Sequence, residues 1–144
     1  MDLKILSLHT GIITNKDKKQ IDVRSIFAAD SFPYQPTFVV GASVCFSRNS
    51  PQFILRFDII DSDGNKLNEG VHEIEPDLQT FYINANDKMS ALDAWLTPTD
   101  HILPKPGEYI IKATLLNNDH EVLDNMEITV LVSDAWKEIN PWEM

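Results

Sequence analysis

The sequence has little of what metal binding, covalent catalysis or export requires. Its 144 residues include a single cysteine, Cys45, which excludes an internal disulfide. The five glycines form no glycine-rich phosphate loop. The amino-terminal apolar run has no small-residue cleavage site after it, and no apolar stretch reaches the roughly 20 residues that span a bilayer. We therefore expect a cytoplasmic protein that does not contact membranes.

Motifs with a known chemistry are also missing. There is no Gly-x-Ser-x-Gly elbow, so the serine-hydrolase signature is absent. Cys45 falls in a strand-like segment with no nearby base to activate its thiol. The histidines do not pair at a zinc-ligand spacing; they are His9, His72, His101 and His120. The sequence therefore predicts a protein that is not an enzyme, with no catalytic residue, no metal and no cofactor.

Positive charge is scarce and unevenly placed. The chain has 12 basic and 22 acidic residues and a formal net charge of −10. Residues 1–72 are balanced, with eight of each sign, whereas residues 73–144 hold four basic and fourteen acidic groups. An acidic surface repels phosphates, so we expect no direct nucleic-acid binding. It leaves two alternatives open: a basic protein partner, or an acidic surface that serves only solubility.

The apolar residues alternate with polar ones over most of the chain, with the period of two that half-buried strands show. One such set is Phe53, Leu55, Phe57 and Ile59. Adjacent apolar residues interrupt this period at Ile5 and Leu6, and again at Ile12 and Ile13; a bulge or burial on both faces would account for them. Together with regular turn signals, this pattern predicts an all-β fold. We expect an antiparallel immunoglobulin-like β-sandwich of about 7–9 strands over residues 1–132.

The segment "IIDSDGNKL" resembles a calcium loop, because Asp61, Asp63 and Asn65 alternate as the first ligands of an EF-hand do. That loop needs glycine at its sixth position and glutamate at its twelfth. Counted from Asp61, glycine comes fourth, at Gly64. Asp-Gly favours a tight reversal between strands. The sequence therefore predicts a structural turn at Asp61, Asp63 and Gly64.

The strand rhythm breaks between about residues 85 and 106. Ser90 and Asp93 have the spacing of a short helical start, and three prolines follow. We expect one long irregular loop here, and long loops on a rigid sandwich are frequent binding sites. Trp95, Leu96 and His101 are therefore candidate partner contacts. The alternative is that Trp95 only covers an open end of the core.

Residues 133–144 form a segment with two of the three tryptophans, Trp136 and Trp142. Exposed indoles cost solubility, so we expect an ordered C-terminal tail that docks on something. The site can lie on the chain's own domain, on a second copy or on another protein. Both tryptophans are therefore candidate partner contacts.

"LPKPGEYIIKATLLNNDHEVLDNMEITVLV" resembles the last hairpin of immunoglobulin-like and fibronectin-type bacterial domains. "IDVRSIFAADSFPYQPTFVVGASV", followed by "LRFDIIDSDGNKL", resembles a family of small uncharacterised bacterial β-sandwich proteins that also occurs in mobile elements. The resemblance covers residues 3–132 and implies the fold. It implies no catalytic residues.

These observations support two hypotheses of function. The first is a non-catalytic protein-interaction module of unknown pathway, which binds through the 85–106 loop, the sheet edges and the tryptophan tail. Its partner is an unknown protein, with a basic partner and self-association both open. The second is an acidic inhibitor of phage type that occupies the basic nucleic-acid-binding groove of a host enzyme.

Overall fold

Two β-sheets face one another across a shared apolar core in the computed structural model of the protein. The structure describes residues 3–15, 17, 20–47, 53–67, 72–74, 80–84, 88–98 and 101–134. Residues 135–144, with most of the predicted tail, lie outside that part of the chain. The prediction of an all-β fold built from two sheets is confirmed.

The first sheet is antiparallel throughout, with strand order β2-β1-β4-β8-β7. Its strands are β1 (Leu3–Asn15), β2 (Gln20–Val23), β4 (Val39–Ser47), β7 (Thr80–Asn84) and β8 (Met89–Leu96). The register of β1 against β4 shifts between Ile5 and Ser7, where Leu6 points to solvent with 52% of its surface exposed. Of the two explanations for the adjacent apolar residues Ile5 and Leu6, the structure therefore shows the bulge and not burial on both faces. Asp124 Oδ2 accepts a hydrogen bond from the Ile5 amide beside it.

The second sheet has the strand order β3-β10-β9-β5-β6. Its strands are β3 (Ile26–Ala29), β5 (Ile54–Ile60), β6 (His72–Ile74), β9 (Gly107–Leu116) and β10 (Val122–Asp134). β3 runs parallel to the end of β10, with Ile26 opposite Leu131 and Ala29 opposite Asp134. The prediction of a purely antiparallel sandwich is therefore wrong, because this sheet is mixed.

The core lies between the sheets and is built from the alternating residues that face inward. Phe53, Leu55, Phe57 and Ile59 of the β5 region are all at most 4% exposed, as their period of two predicts. They pack with β4 and β9, which run nearest the centre of each sheet. A rigid double layer of this kind fixes the outward-facing side chains, since a one-residue slip of a strand would turn its core residues to solvent.

The prediction of one irregular loop over residues 85–106 is wrong. Residues 89–96 of this stretch form β8, an interior strand of the first sheet that pairs with β4 and with β7. The inward residues of β8 include Ser90, Leu92 and Ala94, each at most 6% exposed. Small and polar side chains at inward positions hid the alternation. The Ser90–Asp93 spacing therefore belongs to a strand and not to a helix start.

A candidate interaction surface on the first sheet

The outward face of the first sheet gathers aromatic and polar side chains from three neighbouring strands. His9 of β1 lies opposite Gly41 of β4, and Gly41 lies opposite Trp95 of β8. The next row pairs Ser43 with Asp93. Cross-strand partners point to the same side of a sheet. The register therefore brings residues from three distant parts of the chain onto one surface.

The indole of Trp95 lies over Gly41, in the space that the side chain of any other residue would occupy. A Cβ placed on Gly41 would sit 2.5–2.7 Å from three adjoining ring atoms, Cδ2, Cε2 and Cε3. Nearly equal distances to adjoining ring atoms mean that Gly41 meets the face of the ring and not its edge. Glycine is the one residue that permits this approach of a ring to the backbone.

The imidazole of His9 also contacts the indole. The two ring centroids are 4.3 Å apart and the ring planes meet at 69°, an edge-to-face contact. Burial of the imidazole lowers the pKa of His9 from its ordinary value of 6.5, and the nearby Asp93 carboxylate opposes that shift. Trp95 is therefore fixed by a backbone contact and a ring contact while its side chain stays partly exposed.

Ser43, His9 and Asp93 thus lie on the same part of the sheet, but their hydrogen bonds do not have the sequence of a hydrolytic triad. Ser43 Oγ donates a hydrogen bond to Asp93 Oδ1. In a triad the serine gives its proton to histidine, and the carboxylate orients that histidine. In this arrangement the carboxylate takes the serine proton itself. The geometry suits a polar contact beside Trp95 better than nucleophilic catalysis.

Apolar side chains extend the surface along β1 and β2. Ile21 lies over Gly11 as Trp95 lies over Gly41, since a Cβ on Gly11 would meet Ile21 Cγ2 at 2.7 Å. Ile13 pairs with Ile21 and has 41% of its surface exposed. Val23 pairs with Gly11 and has 62% of its surface exposed. We call this surface the Trp95 face; its residues are His9, Ile13, Ile21, Val23, Ser43, Asp93 and Trp95.

A separate groove of about 360 Å³ opens beside β3. Apolar side chains line most of it, and Arg24, Tyr34 and Thr37 supply polar groups. The Arg24 guanidinium pairs with Asp22, and the Tyr34 hydroxyl bonds the Thr37 hydroxyl at 3.1 Å. We call it the β3 groove; it is lined by Ile12, Arg24, Ile26, Phe27, Ala28, Tyr34 and Thr37.

The residues predicted as partner contacts do not form one surface. Trp95 faces outward, whereas its neighbour Leu96 points inward and packs against the core. His101 is 1% exposed, so it cannot touch a partner while the protein is folded. Trp136 and Trp142 lie outside the described residues. Sequence reasoning missed His9 and Gly41, although a glycine inside a strand pattern is a signal of close approach.

The Asp61–Asn65 segment reverses the chain after β5. Asp61 Oδ1 accepts hydrogen bonds from the amides of Asp63 and Asn65, both at 2.9 Å. Gly64 has a φ of +87°, and its amide donates to the Asp61 carbonyl at 3.1 Å. The carboxylate of Asp61 is therefore occupied by backbone donors, as in turns that an aspartate stabilises.

The outward face of the second sheet has a different character. Asp58 is 1% exposed and lies 3.4 Å from Arg56 Nε and 3.8 Å from Lys66 Nζ. Lys112 of β9 lies directly opposite Asp58 in the sheet register. The Lys112 ammonium forms an ion pair with the Glu127 carboxylate at 3.9 Å. A buried carboxylate needs such partners because desolvation disfavours its charged form. These five residues form a network of mixed charge, and none of them is aromatic.

Comparisons with known proteins identify no family for the chain. Its sequence matches no family model, and a search of curated proteins gives no significant match. The described residues contain no group of three or more histidine, cysteine, aspartate or glutamate side chains arranged to hold a metal ion. They also contain no helix with the length and apolar character needed to cross a bilayer.

Proposed function

We propose that the chain is a non-catalytic protein-interaction module with an immunoglobulin-like sandwich. Strand order supports the topology: β1-β4-β8-β7 corresponds to the ABED sheet of that fold, and β10-β9-β5 corresponds to the GFC sheet. β2 and β3 then lie in the connection between the first and second strands of the fold, and β6 extends the second sheet.

A local contact supports the same topology. The hydroxyl of Tyr109, near the start of β9, donates a hydrogen bond to the carbonyl of Lys105. Immunoglobulin-like domains place a tyrosine at the corner before the strand called F, with its hydroxyl bonded to the backbone a few residues upstream. β9 occupies the F position in the order given above. Tyr109 is 2% exposed, so this bond lies at the edge of the core.

The Trp95 face is the surface that we propose binds a partner protein. The observation that carries this proposal is the fixed position of Trp95 between Gly41 and His9, with exposed Ile13 and Val23 on the same face. Tryptophan is enriched among residues that dominate binding energy. A ring held in one place before binding loses little conformational entropy on association. Asp93 and Ser43 supply a polar border.

An acidic inhibitor remains the alternative, and it receives less support. Such an inhibitor needs a surface of one sign to enter a basic groove. On the second sheet, Arg56, Lys66 and Lys112 are interspersed with Asp58 and Glu127. Of these residues only Lys112 and Glu127 belong to the acidic second half of the sequence, and they pair with each other at 3.9 Å. This part of the second sheet is therefore not a surface of one sign.

Affinity purification with matched variants of the full chain tests the proposal. Val23→Glu places a charge on the Trp95 face at a position that is 62% exposed, so the fold tolerates it. Val122→Glu makes the same change on β10, where the valine is 58% exposed, and serves as the control. We expect the wild type and the control to retain a common set of bound proteins that Val23→Glu loses at least tenfold.

Two outcomes would overturn the proposal. One is equal recovery of that set by Val23→Glu and Val122→Glu. The other is loss of the set by Val122→Glu alone, which would move the contact to the second sheet. Sedimentation equilibrium of the same three proteins asks whether the bound partner is a second copy. Self-association through the Trp95 face predicts a dimer that Val23→Glu removes and Val122→Glu keeps.

A further inference from the structure

We propose that two copies of the chain pair through the free edge of β3, so that their second sheets join into one. β3 is the terminal strand of its sheet, and among the described strands it pairs with β10 alone. An uncovered terminal strand is a template for pairing with another chain. This contact lies on another surface than the Trp95 face and does not depend on it.

The backbone of β3 presents hydrogen-bonding groups along this edge. The Leu131 amide of β10 donates a hydrogen bond to the Ser25 carbonyl at 2.9 Å. In a parallel ladder alternate residues bond the same neighbouring strand, so Phe27 also turns its amide and carbonyl towards β10. Ile26 and Ala28 therefore turn their amides and carbonyls towards the free edge.

The side chains and the space beside β3 leave this edge accessible. Ile26 is 50% exposed, and Ala28 is exposed as well. Both residues line the β3 groove of about 360 Å³, so open space lies next to the strand. Leu131, the cross-strand partner of Ile26, is 48% exposed. A second strand along this edge would cover apolar surface that a single copy leaves in water.

The sequence of β3 is complementary to itself in an antiparallel pair. With Phe27 opposite its own copy, Ile26 of one copy lies opposite Ala28 of the other. Each residue with edge-facing groups thus meets another such residue, and an antiparallel pair of this kind exchanges both of its hydrogen bonds. Two-fold symmetry makes the same contact twice. Phe27, whose groups face β10, falls at the position that needs no bond across the edge.

The charges at the ends of β3 agree with the same register. Arg24 precedes Phe27 by three residues, and Asp30 follows it by three. The two-fold pairing therefore brings the guanidinium of one copy to the carboxylate of the other at both ends. Both residues are exposed, and Arg24 has donors to spare although it pairs with Asp22. Complementary charges fix the register of a contact, and here they favour a second copy over an unrelated strand.

The length of β3 sets the strength of the dimer. The strand has four residues, so the contact belongs with small interfaces of less than about 1,200 Å². Interfaces of this size are typical of transient complexes. We therefore expect a monomer in dilute solution and a dimer as the protein concentration approaches about 1 mM.

Sedimentation equilibrium of the full chain, from about 10 μM to about 1 mM, tests the pairing. Ile26→Lys places a charge on the edge, and Asp30→Lys sets like charges opposite each other. Each variant should weaken dimerisation by about tenfold or more. Leu123→Lys and Asp119→Lys make comparable changes at exposed positions near the other end of β10, and they should leave dimerisation unchanged.

Exchange of charge between the two ends of β3 tests the register. Arg24→Glu alone should weaken the dimer as Asp30→Lys does, and the double variant should recover most of the wild-type affinity. An equal mixture of the two single variants should also dimerise, because each copy then meets opposite charges at both ends. A dimer through the Trp95 face would not respond to this exchange. Far-UV circular dichroism and urea unfolding check that each variant is folded.

Amide exchange followed by NMR reports on the backbone itself. The amides of Ile26 and Ala28 should exchange more slowly as the protein concentration rises, whereas the Phe27 amide should be protected throughout. A chain that stays monomeric at about 1 mM would refute the pairing. So would a dimer that persists in both Ile26→Lys and Asp30→Lys, or one that Val23→Glu alone removes. A mixture of folded single variants that stays monomeric would overturn the register.

Discussion

The face of the Trp95 indole rests on the backbone of Gly41, and this contact places an aromatic ring on the outside of a sheet without a pocket around it. The ring cannot tilt inward because the sheet lies beneath it. His9 restricts it sideways through an edge-to-face contact at 4.3 Å. A glycine and a histidine from two neighbouring strands thus determine the orientation of the tryptophan ring.

Gly41→Ala should displace Trp95. The new Cβ would lie 2.5 Å from ring carbons, well inside normal contact distance, and the backbone of a central strand cannot move to relieve it. We expect a loss of about 1–3 kcal/mol in the free energy of unfolding, as for other overpacked sites. Urea unfolding measures the loss, and near-UV circular dichroism reports the changed ring environment.

A double-mutant cycle isolates the cause of that effect. In a Trp95→Ala background the added methyl group has no ring to meet, so Gly41→Ala should then cost less than about 0.5 kcal/mol. A full loss of stability in that background would mean that the glycine serves the strand itself and not the tryptophan.

Sequence reasoning predicted the inward-facing residues where large apolar side chains alternate, as from Phe53 to Ile59. It missed β8, whose inward positions carry Ser90 and Ala94, because small and polar residues do not produce a clear apolar period. It could not place His9 beside Trp95, because that contact depends on the register of three strands that are far apart in the sequence. Trp95 was predicted as a candidate partner contact on a loop, whereas the structure places it on the outward face of strand β8.

The turn at Asp61–Asn65 predicts distinct effects for its two key residues. Gly64→Val should lower stability by about 1–2 kcal/mol, because a β-branched residue at a φ of +87° is strained although the space around it is open. Asp61→Ala should cost about 0.5–2 kcal/mol by removing the acceptor of two backbone amides. Thermal unfolding with and without calcium completes the test, since a rise in melting temperature with calcium would contradict a purely structural turn.

Tyr109→Phe tests the corner that supports the immunoglobulin-like topology. The change removes the hydrogen bond to the Lys105 carbonyl and keeps the ring in the core. We expect a loss of about 0.5–1.5 kcal/mol in chemical denaturation. Tyr34→Phe is the control, because its hydroxyl bonds Thr37 in an exposed position and should matter less. A larger loss from Tyr34→Phe would contradict a special role for the corner.

His9 should make stability depend on pH in a defined direction. Burial lowers its pKa in the folded state below 6.5, so the unfolded chain binds the proton more readily. The contribution of neutral His9 to stability is therefore complete above pH 6.5 and is lost as the pH falls from 6.5 through the folded pKa. Urea unfolding between pH 7.5 and 5 should show a decline that His9→Gln reduces. Asp93→Asn removes the charge that opposes the shift, so NMR titration of the imidazole should give a pKa still lower than in the wild type. A rise of that pKa in Asp93→Asn would show that the carboxylate acts on His9 in another way than through its charge.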